Sequence, residues 1–454
     1  MAIRSEAVVG RFIPHPFCNL PSPQYGSNET GATISLPTVI PVWIQVDSEI
    51  RHCLSFHQRC WWARSGYALA VLLENAEYSR HAQYQCLVFF ALVVCSSLGA
   101  ATEPALDVKP WNSFMTDDGN PIELSWDWHT ESKSPTIRFS IEPVGLIAGT
   151  ATDPQNWYAA SNFHQALLRS LPRTNVEWFD HFKQQLCCSA AAVSLASEGH
   201  SSRIFYAFDL AEDGIKSKAY FFPGFKAKAT GQTNLTIVSQ AIVTAPYCSP
   251  EKLEALAVLQ EFVMDSSTPA LEMDMLAIDL VEPTSSRLKI YFRSRETSFS
   301  SVKRTMTMGG RLVTSDLVHG LQKLRLLWDA LLERRGRSDD EPLPRVEHRT
   351  AGILYNVEFC LGSAVPKVKI YIPVRHYASS DKQTIGGLSD YLYRTNAQNE
   401  RFMPAYLHAL RSILYVSLRF IFFLLSPLSL ARLRPFVSTV TVVLNLHLLQ
   451  RESI

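Results

Sequence analysis

The chain has 454 residues and a formal net charge of +1, with 47% hydrophobic and 19% charged residues. This is an ordinary globular composition with ample length for a large core. The near-zero charge argues against nucleic-acid binding, because no excess of basic residues is present to release counterions from phosphates. The nine cysteines lack a C-x-x-C spacing and indicate neither a disulfide framework nor a zinc site. No signal peptide is predicted in residues 1–20, which favours a cytoplasmic location.

The first part of the chain predicts an irregular lead-in, followed by helices. Residues 1–48 are rich in Pro, Gly and Ser and show no sustained hydrophobic period. Apolar runs then predict helices over residues 68–74 and 81–94. Further along, a Ser-Pro start signal predicts a helix over residues 250–264, and a leucine stripe predicts one over residues 321–332.

Four β-hairpins are predicted between these helices. Each pairs two runs in which polar and apolar residues alternate, the pattern of a half-buried strand. Helices and hairpins therefore alternate along the chain, which predicts an α+β fold. A closed antiparallel barrel with helices outside would remove the unpaired strand edges and enclose the polar faces. The predicted pairs are 122–128 with 136–142, 204–210 with 216–222, 276–281 with 287–293, and 352–359 with 367–374.

Several predicted strands carry cations and phenols on one face. Side chains two residues apart in a strand share a face, and on three strands a lysine is followed two residues later by a tyrosine. One such pair is usually a solvated face, but its repetition favours a function. The sequence predicts a positive, aromatic-lined cavity suited to an anion with a reactive organic part. The pairs are Lys218 with Tyr220, Lys289 with Tyr291, and Lys369 with Tyr371.

From about Trp61 to Arg411 the chain resembles the fungal aromatic prenyltransferases of the dimethylallyltryptophan synthase type. Each matching stretch is weak alone, but their order along the chain is specific. The resemblance implies a ten-stranded antiparallel β-barrel of repeated αββα units surrounded by helices. The matching stretches are residues 114–119, 121–126, 137–140, 218–223, 287–291, 309–311 and 371–377.

The resemblance also implies a prenyl donor, dimethylallyl diphosphate, held without a metal ion or other cofactor. Asp117 and Asp118 lack the third acid of a D-D-x-x-D magnesium site and predict a turn. Phenol rings would surround the allylic cation without attacking it. The residues implied for the allyl group are Tyr220, Tyr291 and Tyr371. The residues implied for the diphosphate are Arg138, Lys218, Arg287, Lys289 and Lys369.

The implied acceptor is an indole or another aromatic ring, as in tryptophan or cyclic dipeptides of alkaloid biosynthesis. Glu123, the catalytic candidate, matches the glutamate that accepts a hydrogen bond from the indole N–H. In members that prenylate C4 of tryptophan, a lysine on the strand before the first Lys-x-Tyr removes the ring proton. Phe205 stands at that place here, which favours a larger and less polar acceptor such as a cyclic dipeptide.

The C-terminal segment departs from the family pattern. The family fold requires a fifth hairpin there, but residues 412–454 are apolar, with no acidic residue between Glu400 and Glu452. We therefore predict that the last repeat is defective. The predicted division is a lead-in over 1–48, an αββα barrel over 49–411, and an anomalous tail over 412–454.

Two alternatives to an active enzyme stay open on these residues. The chain could be a catalytically defective remnant whose barrel does not close. It could instead be a membrane-tethered variant, since residues 413–430 nearly reach the length of a membrane span. Arg419 and Pro427 count against a span, so a membrane partner is disfavoured. A homodimer is also left open.

Overall fold

The computed structural model describes residues 39–101, 111–128, 134–187, 200–395, 402–424 and 440–443, with side chains as far as Ile413. The strands are β1 (Ile122–Asp127), β2 (Thr136–Ile141), β3 (Ile204–Ala211), β4 (Gly214–Phe221), β5 (Leu271–Asp279), β6 (Leu288–Ser294), β7 (Ile353–Phe359), β8 (Lys367–Tyr371) and β9 (Val440–Val443). The helices are α1 (Pro41–Ile50), α2 (Phe56–Trp61), α3 (Tyr67–Asn75), α4 (Arg80–Phe89), α5 (Ala159–Ser170), α6 (Glu177–Leu186), α7 (Gly224–Thr230), α8 (Asn234–Val243), α9 (Glu254–Met264), α10 (Phe299–Met306), α11 (Ser315–Leu332), α12 (Val374–Tyr377), α13 (Asp381–Thr395) and α14 (Met403–Leu424).

The strands form one sheet in the order β8-β7-β6-β5-β4-β3-β2-β1-β9. From β1 to β8 every neighbouring pair is antiparallel, so the four predicted hairpins are confirmed and lie side by side in chain order. The last pair at the other end of the sheet differs, because β9 runs parallel to β1. The ten strands of the predicted barrel are not confirmed: the described residues contain nine.

Buried apolar residues alternate with polar residues along the strands, so the sheet has an apolar core face and a polar face. On β2, Ile137, Phe139 and Ile141 are buried, whereas the residues between them are partly exposed. The Phe139 ring packs against Phe208 of β3 at 4.8 Å and against Phe90 of the helical layer at 5.4 Å between ring centroids. Helices contact several strands of the sheet. Helices α4 and α6 pack on β4, α8 packs on β5, and α9 packs on β7. The apolar face is therefore the side that the helices cover.

The polar face is also removed from water on the central strands. All seven residues of β6 are buried, although Lys289, Tyr291 and Arg293 lie on the face opposite to Leu288 and Ile290. A strand buried on both faces normally reads as a continuous apolar run. Here the polar side chains are buried because the sheet curves around an enclosed space.

Two predicted boundaries are wrong. The irregular lead-in was expected to extend to residue 48, but α1 begins at Pro41 and buries Val42, Val46 and Ile50 along one side. Proline at the first helical position suits a helix start, since its missing N–H would have no intrahelical partner there. Residues 1–38 lie outside the described residues.

At the other end, the predicted boundary between barrel and tail at residue 411 falls inside a helix, because α14 runs from Met403 to Leu424. None of the helices in the described ranges combines the length and the hydropathy that a membrane crossing requires. The predicted loss of the fifth hairpin falls mostly on residues 425–439 and 444–454, outside the described residues. Within the described part, β9 occupies the place beside β1.

Candidate active site

A cavity of about 1070 Å³ lies on the polar face of the sheet and is lined by side chains from each of the strands β1 to β8. Because β1 and β8 both reach it, the sheet must curl around this space. The structure brings all the site residues predicted from the sequence to the wall of this one cavity. They are Glu123, Arg138, Lys218, Tyr220, Arg287, Lys289, Tyr291, Lys369 and Tyr371.

The cations of the cavity are held by carboxylates on neighbouring strands. Asp209 of β3 accepts hydrogen bonds from the Lys218 ammonium at 2.6 and 2.5 Å and lies 3.0 Å from Nε of Arg138. Arg138 also lies 2.6 Å from an oxygen of the fully buried Asp127. Each of these cations therefore has a fixed direction before any ligand binds.

The same arrangement continues around the sheet. Asp279 of β5 accepts hydrogen bonds from Arg287 at 2.7 and 3.1 Å and from Lys289 at 2.8 Å. Glu358 of β7 lies 3.0 Å from the Lys369 ammonium and 3.7 Å from the Arg287 guanidinium. We call these alternating cations and carboxylates the charged girdle. Its members are Asp127, Arg138, Asp209, Lys218, Asp279, Arg287, Lys289, Glu358 and Lys369.

The girdle carries a smaller positive charge than its lysines and arginines alone would give. Five cations alternate with four carboxylates, which leaves an excess of one positive charge. The physical reason is desolvation, since each unpaired cation in such a buried place would cost several kcal/mol. The alternation that identified the lysines also places Asp209, Asp279 and Glu358 on the cavity face. Applied to acidic residues, it would have found them.

Burial and pairing set the protonation of the girdle. Burial and the nearby Lys218 cation lower the pKa of Lys289 to about 7, against the opposing effect of Asp279. Burial raises the pKa of Asp209 and Asp279, but their lysine and arginine partners outweigh it and hold both pKa values below the ordinary range. The carboxylates are therefore ionised at neutral pH, whereas Lys289 is poised to lose its proton.

A layer of three tyrosines borders the girdle. Tyr220, Tyr291 and Tyr371 each follow a girdle lysine by two residues on β4, β6 and β8 and so share its face. The ring centroids lie 5.8 Å apart from Tyr220 to Tyr291 and 5.9 Å apart from Tyr291 to Tyr371. The amide of Asn356 donates a hydrogen bond to the Tyr371 oxygen at 3.0 Å. Burial raises the pKa of all three phenols, which are therefore neutral.

Glu123 lies on β1, at the far side of the sheet from β6. It is half-buried, lines the cavity and stands opposite Ser140 of β2 in the strand register. Phe205 of β3 also lines the cavity, directly across from Tyr220, and its ring packs against Phe222 at 4.7 Å between centroids. The cavity wall next to Tyr220 is therefore apolar at Phe205, the position that would hold a lysine in enzymes that prenylate C4 of tryptophan.

A second polar cluster joins the loop before β1, the loop before β7 and the short helix α12 at the border of the cavity. Asp117 lies in the turn that the sequence predicts. Asp117, His348 and His376 have ligand atoms within 4.8 Å of one another and could hold a metal ion. The Thr350 hydroxyl lies between them, 3.0 Å from Asp117, 2.9 Å from His348 and 2.8 Å from His376. This hydrogen-bonded arrangement ties the loop before β1 to the segments that flank β7 and β8.

A known protein family matches most of the chain. The family model described as tryptophan dimethylallyltransferase matches residues 57–405, most of the chain. The chain belongs to this family. It is an aromatic prenyltransferase, as the sequence resemblance implied.

Relatives of known activity support the assignment. The chain is 36% identical to 4-O-dimethylallyl-L-tyrosine synthase of Claviceps purpurea over 75% of its own length and 77% of the relative's. It is 33% identical to 7-dimethylallyltryptophan synthase of Aspergillus fumigatus over 75% of each chain. Among solved structures, AnaPT from Neosartorya fischeri matches with a TM-score of 0.69 and 25% identity over 83% of this chain and 89% of that one. NotF, solved with brevianamide F and DMSPP, matches the fold with a TM-score of 0.71 and 24% identity over 83% and 90%.

Proposed function

We propose that this prenyltransferase transfers a dimethylallyl group from dimethylallyl diphosphate to an indole-containing acceptor, tryptophan or a cyclic dipeptide, in alkaloid biosynthesis. One observation carries the proposal: cations, phenol rings and the candidate glutamate line a single cavity, with the phenols next to the cations. This arrangement suits a substrate that is anionic at one end and carries an allyl group at the other.

The girdle would promote ionisation of the donor. When the allylic C–O bond breaks, its electron pair leaves with pyrophosphate, and negative charge grows on the leaving group. Fixed cations in a water-excluded site stabilise such charge strongly, because they need no reorganisation during the reaction. Lys218 and Lys289 are buried and already oriented by Asp209 and Asp279, so their ammonium groups are prepared for this role.

The tyrosine layer would shield the allylic cation. Electron-rich rings attract a cation by about 2 kcal/mol each when the contact is desolvated. Because the three phenols are neutral, they are poor nucleophiles toward the cation. The cation thus survives until the acceptor ring attacks it.

Glu123 would orient and activate the acceptor. Its carboxylate would accept a hydrogen bond from the indole N–H, fix the ring relative to the allylic carbon and stabilise the positive charge that develops on the nitrogen. The new C–C bond uses the electron pair of the ring, and transfer of the ring proton to the released pyrophosphate restores aromaticity.

We propose that the reaction needs no metal ion, because five protein cations line the cavity and could each contact the diphosphate oxygens directly. The test is to incubate the purified protein with dimethylallyl diphosphate and a panel of indoles in the presence of EDTA. Mass spectrometry should find a prenylated indole at undiminished yield. Absence of product with every acceptor, with or without added Mg²⁺, would favour the defective remnant. A cytoplasmic location and a homodimer remain predictions from the sequence.

A second candidate acceptor is the phenol of tyrosine, favoured by the 36% identity to a tyrosine prenyltransferase. The Glu123 carboxylate would then accept the phenol proton as the oxygen attacks the allylic carbon. Adding L-tyrosine to the acceptor panel separates the two candidates. Higher kcat/KM with L-tyrosine than with any indole would replace the indole proposal.

A further inference from the structure

A second charged pair lies in the cavity, away from the girdle. Along β6, Arg287, Lys289, Tyr291 and Arg293 successively line the cavity. Lys289 and Arg293 are four positions apart on the strand, about 13 Å, and Tyr291 stands between them. Arg293 therefore lies on the opposite side of the tyrosine layer from the cations that we assign to the diphosphate.

The carboxylate beside Arg293 is placed there by a β-bulge. Met273 pairs with Phe292 and Met275 pairs with Tyr291, so Asp274 is an extra residue without a partner in the strand register. Asp274 and Met275 are adjacent in sequence, yet both line the cavity. An unbroken strand would turn them to opposite faces. Bulges are common beside active sites, where they redirect a side chain.

The pair is loose, in contrast to the girdle. An oxygen of Asp274 lies 3.8 Å from the Arg293 guanidinium, beyond hydrogen-bond range, although the two side chains are only 21% and 8% exposed. Among the described residues, no hydrogen bond reaches the Asp274 carboxylate. Burial raises its pKa against the opposing effects of Arg293 and Arg349. Arg293 donates instead to the carbonyl of Thr350 at 2.8 Å. Both charges therefore retain capacity for a ligand.

We propose that Asp274 and Arg293 form a subsite for the α-ammonium and α-carboxylate groups of a free aromatic amino acid, an inference that rests on the proposed prenyl transfer. Asp274 binds the ammonium group and Arg293 the carboxylate. A cyclic dipeptide has both groups tied into neutral amides and would leave two buried charges without partners. The inference therefore opposes the preference for a cyclic dipeptide that Phe205 suggested.

Acceptor analogues test the subsite in the wild-type protein. We would measure kcat/KM for L-tryptophan, tryptamine, indole-3-propionate and a tryptophan-containing cyclic dipeptide. Removing the carboxylate or the ammonium group should lower kcat/KM at least tenfold, and the cyclic dipeptide should be a poorer acceptor than L-tryptophan. A cyclic dipeptide preferred over L-tryptophan would overturn the proposal.

A matched pair of variants tests whether Asp274 binds the ammonium group of the acceptor. Asp274→Asn should raise KM for L-tryptophan at least tenfold and leave KM for indole-3-propionate within twofold, because that analogue has no ammonium group. Glu272→Gln is the control: it lies two residues away on β5, is exposed and pairs with Arg295 outside the cavity. An equal loss for both acceptors in Asp274→Asn would show a structural role only.

Calorimetry separates this inference from the proposed function. Binding of L-tryptophan and of indole-3-propionate is measured on the same proteins without turnover. If no acceptor is prenylated but Asp274→Asn still weakens L-tryptophan binding selectively, the subsite stands and the activity fails. If product forms but tryptophan binding is the same in both variants, the activity stands and the subsite is wrong.

Discussion

The two ends of the cavity are built differently. In the charged girdle, hydrogen-bonded ion pairs such as Lys218 with Asp209 and Lys289 with Asp279 join adjacent strands at 2.5 to 2.8 Å. Beyond the tyrosine layer, Asp274 and Arg293 face each other at 3.8 Å across a bulge. Tight pairing fixes cations in advance for one anionic group, whereas a loose pair leaves both charges open for a ligand of mixed charge. The Asp274 variants test the loose pair, and four further predictions test the girdle, Glu123 and the tyrosine layer.

Removing a girdle cation should have the largest effect. Lys289→Met keeps the length of the side chain but deletes its charge beside the leaving group. Loss of one preorganised charge of this kind lowers kcat by about 100-fold to 1000-fold. Steady-state kinetics with dimethylallyl diphosphate measure this, with Lys303→Met as the control, since Lys303 is partly exposed and pairs with Asp339 outside the cavity. Near-normal kcat in Lys289→Met would remove the girdle from the mechanism.

Glu123→Gln should come next and separate the acceptor from the donor. The amide keeps the size of the side chain but loses the carboxylate charge that stabilises the developing indole cation. We expect kcat for indoles to fall about 100-fold, while calorimetry shows pyrophosphate binding within twofold of wild type. Equal loss of activity and of pyrophosphate binding would show that the assigned role is wrong.

Asp279→Asn should show whether the girdle carboxylates orient the cations or merely neutralise them. Asp279 raises the pKa of Lys289, which is about 7 in the folded protein, so its loss shifts that pKa lower and reduces the protonated fraction of Lys289 at pH 6.5, where most of it is charged in the wild type. Pyrophosphate affinity should fall about tenfold there. The pH range over which affinity declines should also move to lower values than in wild type.

Calorimetry from pH 6 to 9 measures the effect of Asp279→Asn on pyrophosphate affinity. Lys289→Met, titrated in parallel, supplies the dependence due to the ionisation of pyrophosphate itself. If Asp279 only neutralised the cations, its loss would increase pyrophosphate affinity, because a cavity with one anion fewer attracts pyrophosphate more strongly. Tighter binding in Asp279→Asn would therefore contradict the orienting role.

Tyr371→Phe should have the smallest effect. The ring face that stabilises the allylic cation remains, and only the hydroxyl that accepts from Asn356 is lost. We expect kcat to fall by about threefold, equivalent to under 1 kcal/mol. Tyr371→Leu, which removes the aromatic face, should lose more than tenfold. Equal kcat in the two variants would argue against cation–π stabilisation at this position.

The amino-acid sequence alone determined the four hairpins and the faces of their strands, because alternation with a period of two depends only on neighbouring residues. It placed Lys218, Lys289 and Lys369 on one side of the sheet, each with its tyrosine. The resemblance to the prenyltransferases added Glu123. Gathering these side chains around one cavity followed from the closed barrel that the alternating helices and hairpins predicted, and the family resemblance implied the same fold.

The tertiary structure decided the features that depend on pairing between distant strands. The near-neutral charge of the girdle arises because Asp209, Asp279 and Glu358 lie beside cations of the next strand, a relation that only the register sets. The bulge that turns Asp274 into the cavity is likewise a register shift between β5 and β6, which neither strand's sequence shows by itself. Local pattern assigns a side chain to a face, but cross-strand register decides which charges meet.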